Sequence, residues 1–243
     1  MLQGQMTNQG NRLYLWRGFL PLLLTPVVVF GFWNFQHTQN SHRYDFIWGG
    51  ICLSLAFLGL AIRFVVMGYT PRGSSYVGRS TKSPEEKKFK TTGVYSLCRH
   101  PLYLGNFFMT LGILLYLNSA TVISVYLLLF IFYYERLIMS EENFLSGEFG
   151  EAYITWAERT SLIIPQFSRW EKPERLFMWR VAVRREYKRI FGVIAIMTLF
   201  DILSNIIVVG ELKLDLEWGI LFVAGAIFYM TIRIMKKYKL LPV

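Results

Sequence analysis

The chain is short of charge, and shortest of acid. Of its 243 residues 17% are charged, and only 16 are Asp or Glu. A soluble domain carries about 25% charged residues, so a water-soluble globule is disfavoured. There are two cysteines, Cys52 and Cys98, and three histidines. Cys52 falls inside a long apolar run and Cys98 at a polar boundary, so neither suggests a disulfide or a zinc site. No metal-ligand spacing, Walker loop, G-x-G-x-x-G or internal repeat is present. What the chain does have is apolar: 53% hydrophobic residues and 17% aromatic, with mean hydropathy +0.35. That excludes disorder and a collagen-like chain.

A helix needs about 20 mainly apolar residues to cross a hydrocarbon core of about 30 Å. Phe19–Phe35, Phe46–Tyr69, Thr121–Tyr134 with its flanks, and Ile190–Gly210 meet this readily. Pro101–Leu117 and Trp218–Met235 fit less cleanly. Asn118-Ser119-Ala120 reads as a tight helical hairpin. The expected fold is therefore all-α and polytopic, with about six transmembrane helices and cytoplasmic amphipathic helices. The first span is preceded by Arg12 and Arg17, but no small-residue cleavage site follows it, so it reads as retained.

The basic residues orient the chain. There are 26 Lys and Arg, for a net charge of +10. With both termini in the cytoplasm, the outer loops hold only Arg43 and Lys213. The segment Thr70–His100 holds seven basic residues and Arg159–Arg189 nine. This is a strong positive-inside asymmetry. The excess of positive charge thus reads as topology and contact with anionic headgroups, and a nucleic-acid partner is not expected.

Polar clusters near a bilayer mark candidate sites, and three stand on the basic side. In Gly93–Gly105, Pro101 suits the first position of a helix, which puts His100 at the cap and Arg99 just before it. A helix start beside Arg and His favours an anion. Gly105 lets a ligand or a neighbouring helix come close to the backbone. The second cluster is Glu135, Arg136, Glu141 and Glu142. The Glu141-Glu142 pair can take an ammonium and ribose hydroxyls, or salt-bridge two partners. Phe144, Leu145, Phe149, Tyr153 and Trp156 follow at helical spacing, as expected of a helix on the membrane surface. The third is the Gly- and Ser-containing loop Thr70–Lys82, with Arg72, Arg79 and Lys82. It suits a phosphate or other anionic headgroup, or is a flexible basic loop.

Gly93-x-Tyr95-x-x-x-Arg99-His100-Pro101-x-Tyr103-x-Gly105, then Glu141-Glu142 after one hairpin, then Phe149-Gly150-x-x-Tyr153 and Pro165, resembles the integral-membrane methyltransferases. These are the isoprenylcysteine carboxyl methyltransferases and phospholipid methyltransferases. The resemblance covers about residues 46–165. It implies a cytoplasm-facing pocket for S-adenosyl-L-methionine, held by Tyr95, Arg99, His100, Pro101, Tyr103, Leu104, Gly105, Glu141 and Glu142. Arg99, Arg136 and Glu142 are the expected catalytic groups, and Arg72, Arg79 and Tyr153 the expected acceptor contacts. No metal is expected.

The implied acceptor is a lipid or a prenylated group that enters from the bilayer. The excess of Arg over spare carboxylate favours an anionic oxygen, a phosphate such as that of lipid A or a carboxylate, over the amine of phosphatidylethanolamine. The loop ahead of the motif resembles a bacterial branch, which points to a bacterial inner membrane rather than the endoplasmic reticulum. Residues 1–45 are expected to hold the first span, residues 46–165 the methyltransferase core, and residues 166–243 a basic amphipathic stretch with two further spans. A small transporter using Arg63, Asp201 and Asn205 is the competing class, but it lacks the expected inverted repeat. A non-catalytic scaffold of the same fold is a third reading.

Overall fold

An apolar run in hydrocarbon must pair its own N–H and C=O groups, so it folds as helix. The computed structural model describes residues 2–16, 24–33, 35, 42–70 and 89–240. Every regular element among them is helical: α1 (Leu2–Trp16), α2 (Thr25–Trp33), α3 (His42–Tyr69), α4 (Val94–Leu97), α5 (Pro101–Leu115), α6 (Ala120–Phe149), α7 (Glu151–Arg159), α8 (Trp179–Val209) and α9 (Leu216–Lys237). A short 3-10 turn, Phe167–Arg169, lies between α7 and α8.

Among the described residues, four helices are long and apolar enough to cross a bilayer: most of α3 (Tyr44–Tyr69), and α6, α8 and α9. Helix α5 is apolar but has 15 residues, about 22 Å of helix against a core of about 30 Å. The expected first span, Phe19–Phe35, lies partly outside the described residues; its described part contains α2. The protein is an all-α, polytopic integral-membrane protein.

The hairpin between α5 and α6 is as tight as expected. Asn118 turns the chain at φ 46°, and Ser119 caps α6 by accepting from the Val122 N–H at 3.4 Å. Helix α5 lies directly on α3, because glycines remove the side chains between them: a Cβ on Gly112 would stand 2.5 Å from the Ala56 nitrogen. Such small-residue contacts are a common way for helices to pack in lipid, where tails offer no hydrophobic driving force between them. Helix α1 runs along α6, with Gly10 against the Arg136 carbonyl and the Ser140 hydroxyl donating to Asn11 at 2.6 Å.

The two ends of the bundle differ in chemistry. Toward the α5–α6 hairpin the core is apolar, with Phe32, Cys52, Leu114, Leu117, Val122 and Trp218 packed together. Asp201 there accepts from the Asp215 N–H at 3.2 Å, and Asn205 donates to the Lys213 carbonyl at 3.1 Å. Both side chains thus close the α8–α9 loop. At the opposite end lie the buried Arg63, His100, Glu141 and Glu186. The described part of α1 and the C-terminal end of α9 lie at this polar end, the latter through Ile232 packed on Tyr187.

Candidate functional site

The polar end is organised by two unlike pieces of chain. Helix α6 is 30 residues long, about 45 Å, so its last turns carry Glu141 and Glu142 beyond its apolar stretch. The segment from Gly93 to His100 meets them from the side. It is held by the strap between α7 and α8, which runs antiparallel to it. The Arg99 N–H donates to the Ser161 carbonyl at 2.8 Å, and the His100 N–H to Leu162 at 3.1 Å. The Gln166 N–H donates to Leu97 at 3.0 Å, and the Gly93 N–H to Glu171 at 3.1 Å. Gly93 itself has φ +66°, the left-handed region that favours glycine.

Pro101 occupies the first turn of α5 and His100 is its cap, as the sequence suggests. The His100 side chain makes no capping bond, however. It turns instead to the carboxylate pair: Nδ1 lies 3.4 Å from Glu141 Oε2 and Nε2 lies 3.3 Å from Glu142 Oε1. A neutral ring would set a lone pair against one of these carboxylates, so the geometry favours the imidazolium. Burial works against the charge, but the hydrogen bonds and charges of Glu141 and Glu142 outweigh it and raise the His100 pKa above its ordinary 6.5. Arg99 Nη1 reaches Glu142 Oε1 at 2.6 Å. The Tyr103 hydroxyl donates to Glu141 Oε2 at 2.7 Å, and its ring stacks on His100 with centroids 5.3 Å apart.

Among the described residues, two buried polar atoms meet no partner in hydrogen-bond geometry, Arg99 Nε and the Tyr153 hydroxyl, although the Arg99 guanidinium lies close enough to act on that hydroxyl. Tyr153 is 3% exposed. Burial, and then the charge on Glu142, push its pKa up, so it is a donor and not a base at neutral pH. A buried unpaired donor costs about 1–3 kcal/mol, and native chains keep such groups where a ligand or water completes them. Tyr95 is buried beside this cluster, with Lys90 Nζ 5.7 Å from its ring centroid. Burial and the charges of Arg185 and Arg175 lower Lys90 to about 7. Burial lifts the Cys98 thiol to about 11, so it is not a thiolate nucleophile.

The structure thus brings together Tyr95, Arg99, His100, Pro101, Tyr103, Glu141, Glu142 and Tyr153. Gly105 faces α3: a Cβ there would stand 2.5 Å from Arg63 Cγ, so it is the neighbouring helix that approaches its backbone. Leu104 lies on α5, its N–H bonded to the His100 carbonyl at 3.4 Å. Arg136 is turned elsewhere, paired with Glu135 and bonded to the Phe132 carbonyl at 3.3 Å. Six positions before Glu142, it sits about 120° around the helix. Arg72 and Arg79 lie outside the described residues. The expected surface helix from Phe144 to Trp156 is broken at Gly150, whose φ of +55° separates α6 from α7. Leu145 and Tyr153 are buried while Phe144 is exposed.

Sequence reasoning missed the strap and a polar network behind Tyr103. Arg63 binds Glu186 with two hydrogen bonds of 3.0 Å and Asn106 at 2.5 Å. Asn106 donates to the Tyr134 hydroxyl at 2.9 Å. An Arg inside an apolar run was the available signal, since such a charge needs a partner.

Residues 47–152 match the family model for phospholipid methyltransferase. The chain is 29% identical over 159 residues to the cobalt-zinc-cadmium resistance protein CzcN of Cupriavidus metallidurans, covering 65% of each chain. It is 28% identical over 158 residues to the nickel-cobalt-cadmium resistance protein NccN of Alcaligenes xylosoxydans, covering 65% of this chain and 66% of that one. It is 34% identical over 115 residues to the protein-S-isoprenylcysteine O-methyltransferase of Saccharomyces cerevisiae, 47% of each chain. The matches therefore span just under two thirds of the resistance proteins and about half of the yeast enzyme. No solved structure matches. The family model and the isoprenylcysteine O-methyltransferase relatives support a membrane methyltransferase family for this chain.

Proposed function

With a membrane methyltransferase family as the premise, we propose that this protein transfers a methyl group from S-adenosylmethionine to a lipid or prenylated acceptor held in the bilayer. The observation that carries the reading is the cluster of Arg99, His100, Glu141 and Glu142 at the polar end, with the buried, unpartnered Arg99 Nε and Tyr153 hydroxyl beside it. The donor set fits the cofactor, whose amino-acid end carries an ammonium and a carboxylate. Glu141 or Glu142 suits the ammonium or the ribose hydroxyls, and the Arg99 guanidinium, through its unpaired Nε, suits the carboxylate, with His100 adding charge but no free N–H. Tyr103, stacked on His100 and packed against Tyr134, holds this donor set in place. When bound, the cofactor supplies an activated methyl group on a positively charged sulfur.

The remaining task of the chain is alignment and exclusion of water. Both carboxylates of the pair are engaged, Glu141 by Tyr103 and His100, and Glu142 by Arg99 and His100. That supports an acceptor that is already a nucleophile, a phosphate or carboxylate oxygen, which needs Arg to orient it and no base. An ammonium acceptor such as phosphatidylethanolamine would first have to lose a proton to a free base. The site is assigned to the cytoplasmic face, on the strength of the positive charge in Thr70–His100 and Arg159–Arg189. A bacterial inner membrane is the proposed location.

Titration calorimetry of the purified protein with S-adenosylhomocysteine tests this directly, and no heat at millimolar ligand contradicts it. Mass spectrometry of lipids from cells with and without the protein then identifies the acceptor by the gain of one methyl group. The names of CzcN and NccN add a phenotype to score in the same strains, growth in cobalt, zinc, nickel or cadmium salts.

A further inference from the structure

The segment beyond the family match contributes a buried charge to the interior of the matched segment. Glu186, on α8, has 0% exposure, and its partner Arg63, on α3, has 4%. The two are joined by a bidentate pair, Arg63 Nε to Glu186 Oε2 and Arg63 Nη2 to Glu186 Oε1, each 3.0 Å. Arg189 Nη1 adds a contact of 3.3 Å to Glu186 Oε1. A buried ion pair is weak evidence for stability, because desolvation offsets much of the attraction. Its connections point to another role. The third arm of Arg63 donates to Asn106, Asn106 donates to the Tyr134 hydroxyl, and the Tyr134 ring packs on Tyr103 with centroids 4.7 Å apart. Tyr103 in turn bonds Glu141 and stacks on His100. The stem of Arg63 passes over Gly105, where a Cβ would stand 2.5 Å from Arg63 Cγ.

We infer that Glu186 is a positioning residue: it fixes Arg63, and through Asn106 and Tyr134 it sets the place of Tyr103 and hence of His100 and Glu141. Helix α8 is then a working part of the site as well as an anchor. A guanidinium is required at 63, because its planar fork spans two acceptors that one ammonium cannot hold in the same geometry. This rests on the proposed cofactor pocket for its main readout.

The test compares the unaltered protein with an Arg63→Met/Glu186→Met double variant and with Tyr134→Phe. Apolar replacement of a whole buried pair is often neutral for folding, and Tyr134→Phe removes one hydroxyl at nearly constant volume. Both variants should melt close to the unaltered protein yet bind S-adenosylhomocysteine roughly 2- to 30-fold more weakly. Arg63→Lys should weaken binding in the same sense. Unchanged affinity in a folded double variant and in Tyr134→Phe overturns the inference. Should the double variant not fold, Tyr134→Phe decides alone. If the unaltered protein binds no S-adenosylhomocysteine, the functional reading falls, and positioning is judged by hydrogen exchange of the 99–104 amides without ligand. Faster exchange in Tyr134→Phe supports the inference, and identical exchange overturns it.

Discussion

Replacing Glu142 with Gln separates the chemistry of the site from its stability. Glu142 is the more accessible of the two carboxylates, its side chain 27% exposed against 9% for Glu141. Its contacts with Arg99 and with His100 Nε2 are therefore partly solvated, and partly solvated contacts of this kind typically contribute about 1 kcal/mol or less. A loss of about 1 kcal/mol in a chain of this size lowers the melting temperature by about 2–4 °C. A charged hydrogen bond to a ligand is worth more, about 1.5–3 kcal/mol, which is roughly 10- to 150-fold in affinity. Glu142→Gln should accordingly lose at least about tenfold in S-adenosylhomocysteine affinity while melting within about 4 °C of the unaltered protein. Calorimetry and a melting curve on one preparation read both. Affinity within about twofold of the original refutes the assignment of Glu142 to the ligand. The same change at Glu141 is a poorer test, because it strips a buried acceptor from both Tyr103 and His100 and so risks the fold.

Three further outcomes are expected. His100 has a folded pKa above its ordinary 6.5, so its stabilising protonation is fully present below about pH 6.5 and is lost as the pH rises through the folded value; melting curves should fall over that window, and His100→Asn should flatten it. Gly105→Ala would set a Cβ 2.5 Å from Arg63 Cγ and 2.9 Å from the Gly59 carbonyl, and should cost about 1–3 kcal/mol of stability in a denaturation assay. Tyr153→Phe removes a hydroxyl with no hydrogen-bond partner, so stability should not fall, while KM for the lipid acceptor should rise; a loss above about 1 kcal/mol would show that the hydroxyl is paired in the fold.

Much of the scaffold could be read from the sequence because the bilayer permits so few structures. Runs such as Phe46–Tyr69 and Ile190–Gly210 have little choice but helix, and the Asn118–Ala120 hairpin shows as a polar break between two apolar runs. Pro101 announced the start of α5, and His100 followed as its cap. The direction of the His100 ring was not legible, since it depends on carboxylates more than 40 positions later that arrive only when α6 returns along α5. The pairing of Arg63 with Glu186 was hidden for the same reason, with 123 positions between them. The sequence shows that each charge is costly in apolar surroundings but not which one answers it. Pro165 and scattered basic residues apart, the strap from Thr160 to Met178 left no pattern that shows its role, because it holds Arg99 and His100 through backbone hydrogen bonds. The shape of the Phe144–Trp156 region was missed because Gly150 was read as a residue within a helical stripe, where its left-handed backbone ends one helix and begins another.

The most direct measurement is methyl transfer itself. Membranes containing the unaltered protein, and membranes containing a folded Glu142→Gln variant, are incubated with methyl-labelled S-adenosylmethionine and a total lipid extract, and label in the lipid phase is counted. Label that appears with the unaltered protein and drops with the variant is the predicted result. Equal label in both, or none with the unaltered protein despite bound cofactor, would contradict a methyltransferase site built on Arg99, His100 and the Glu141–Glu142 pair.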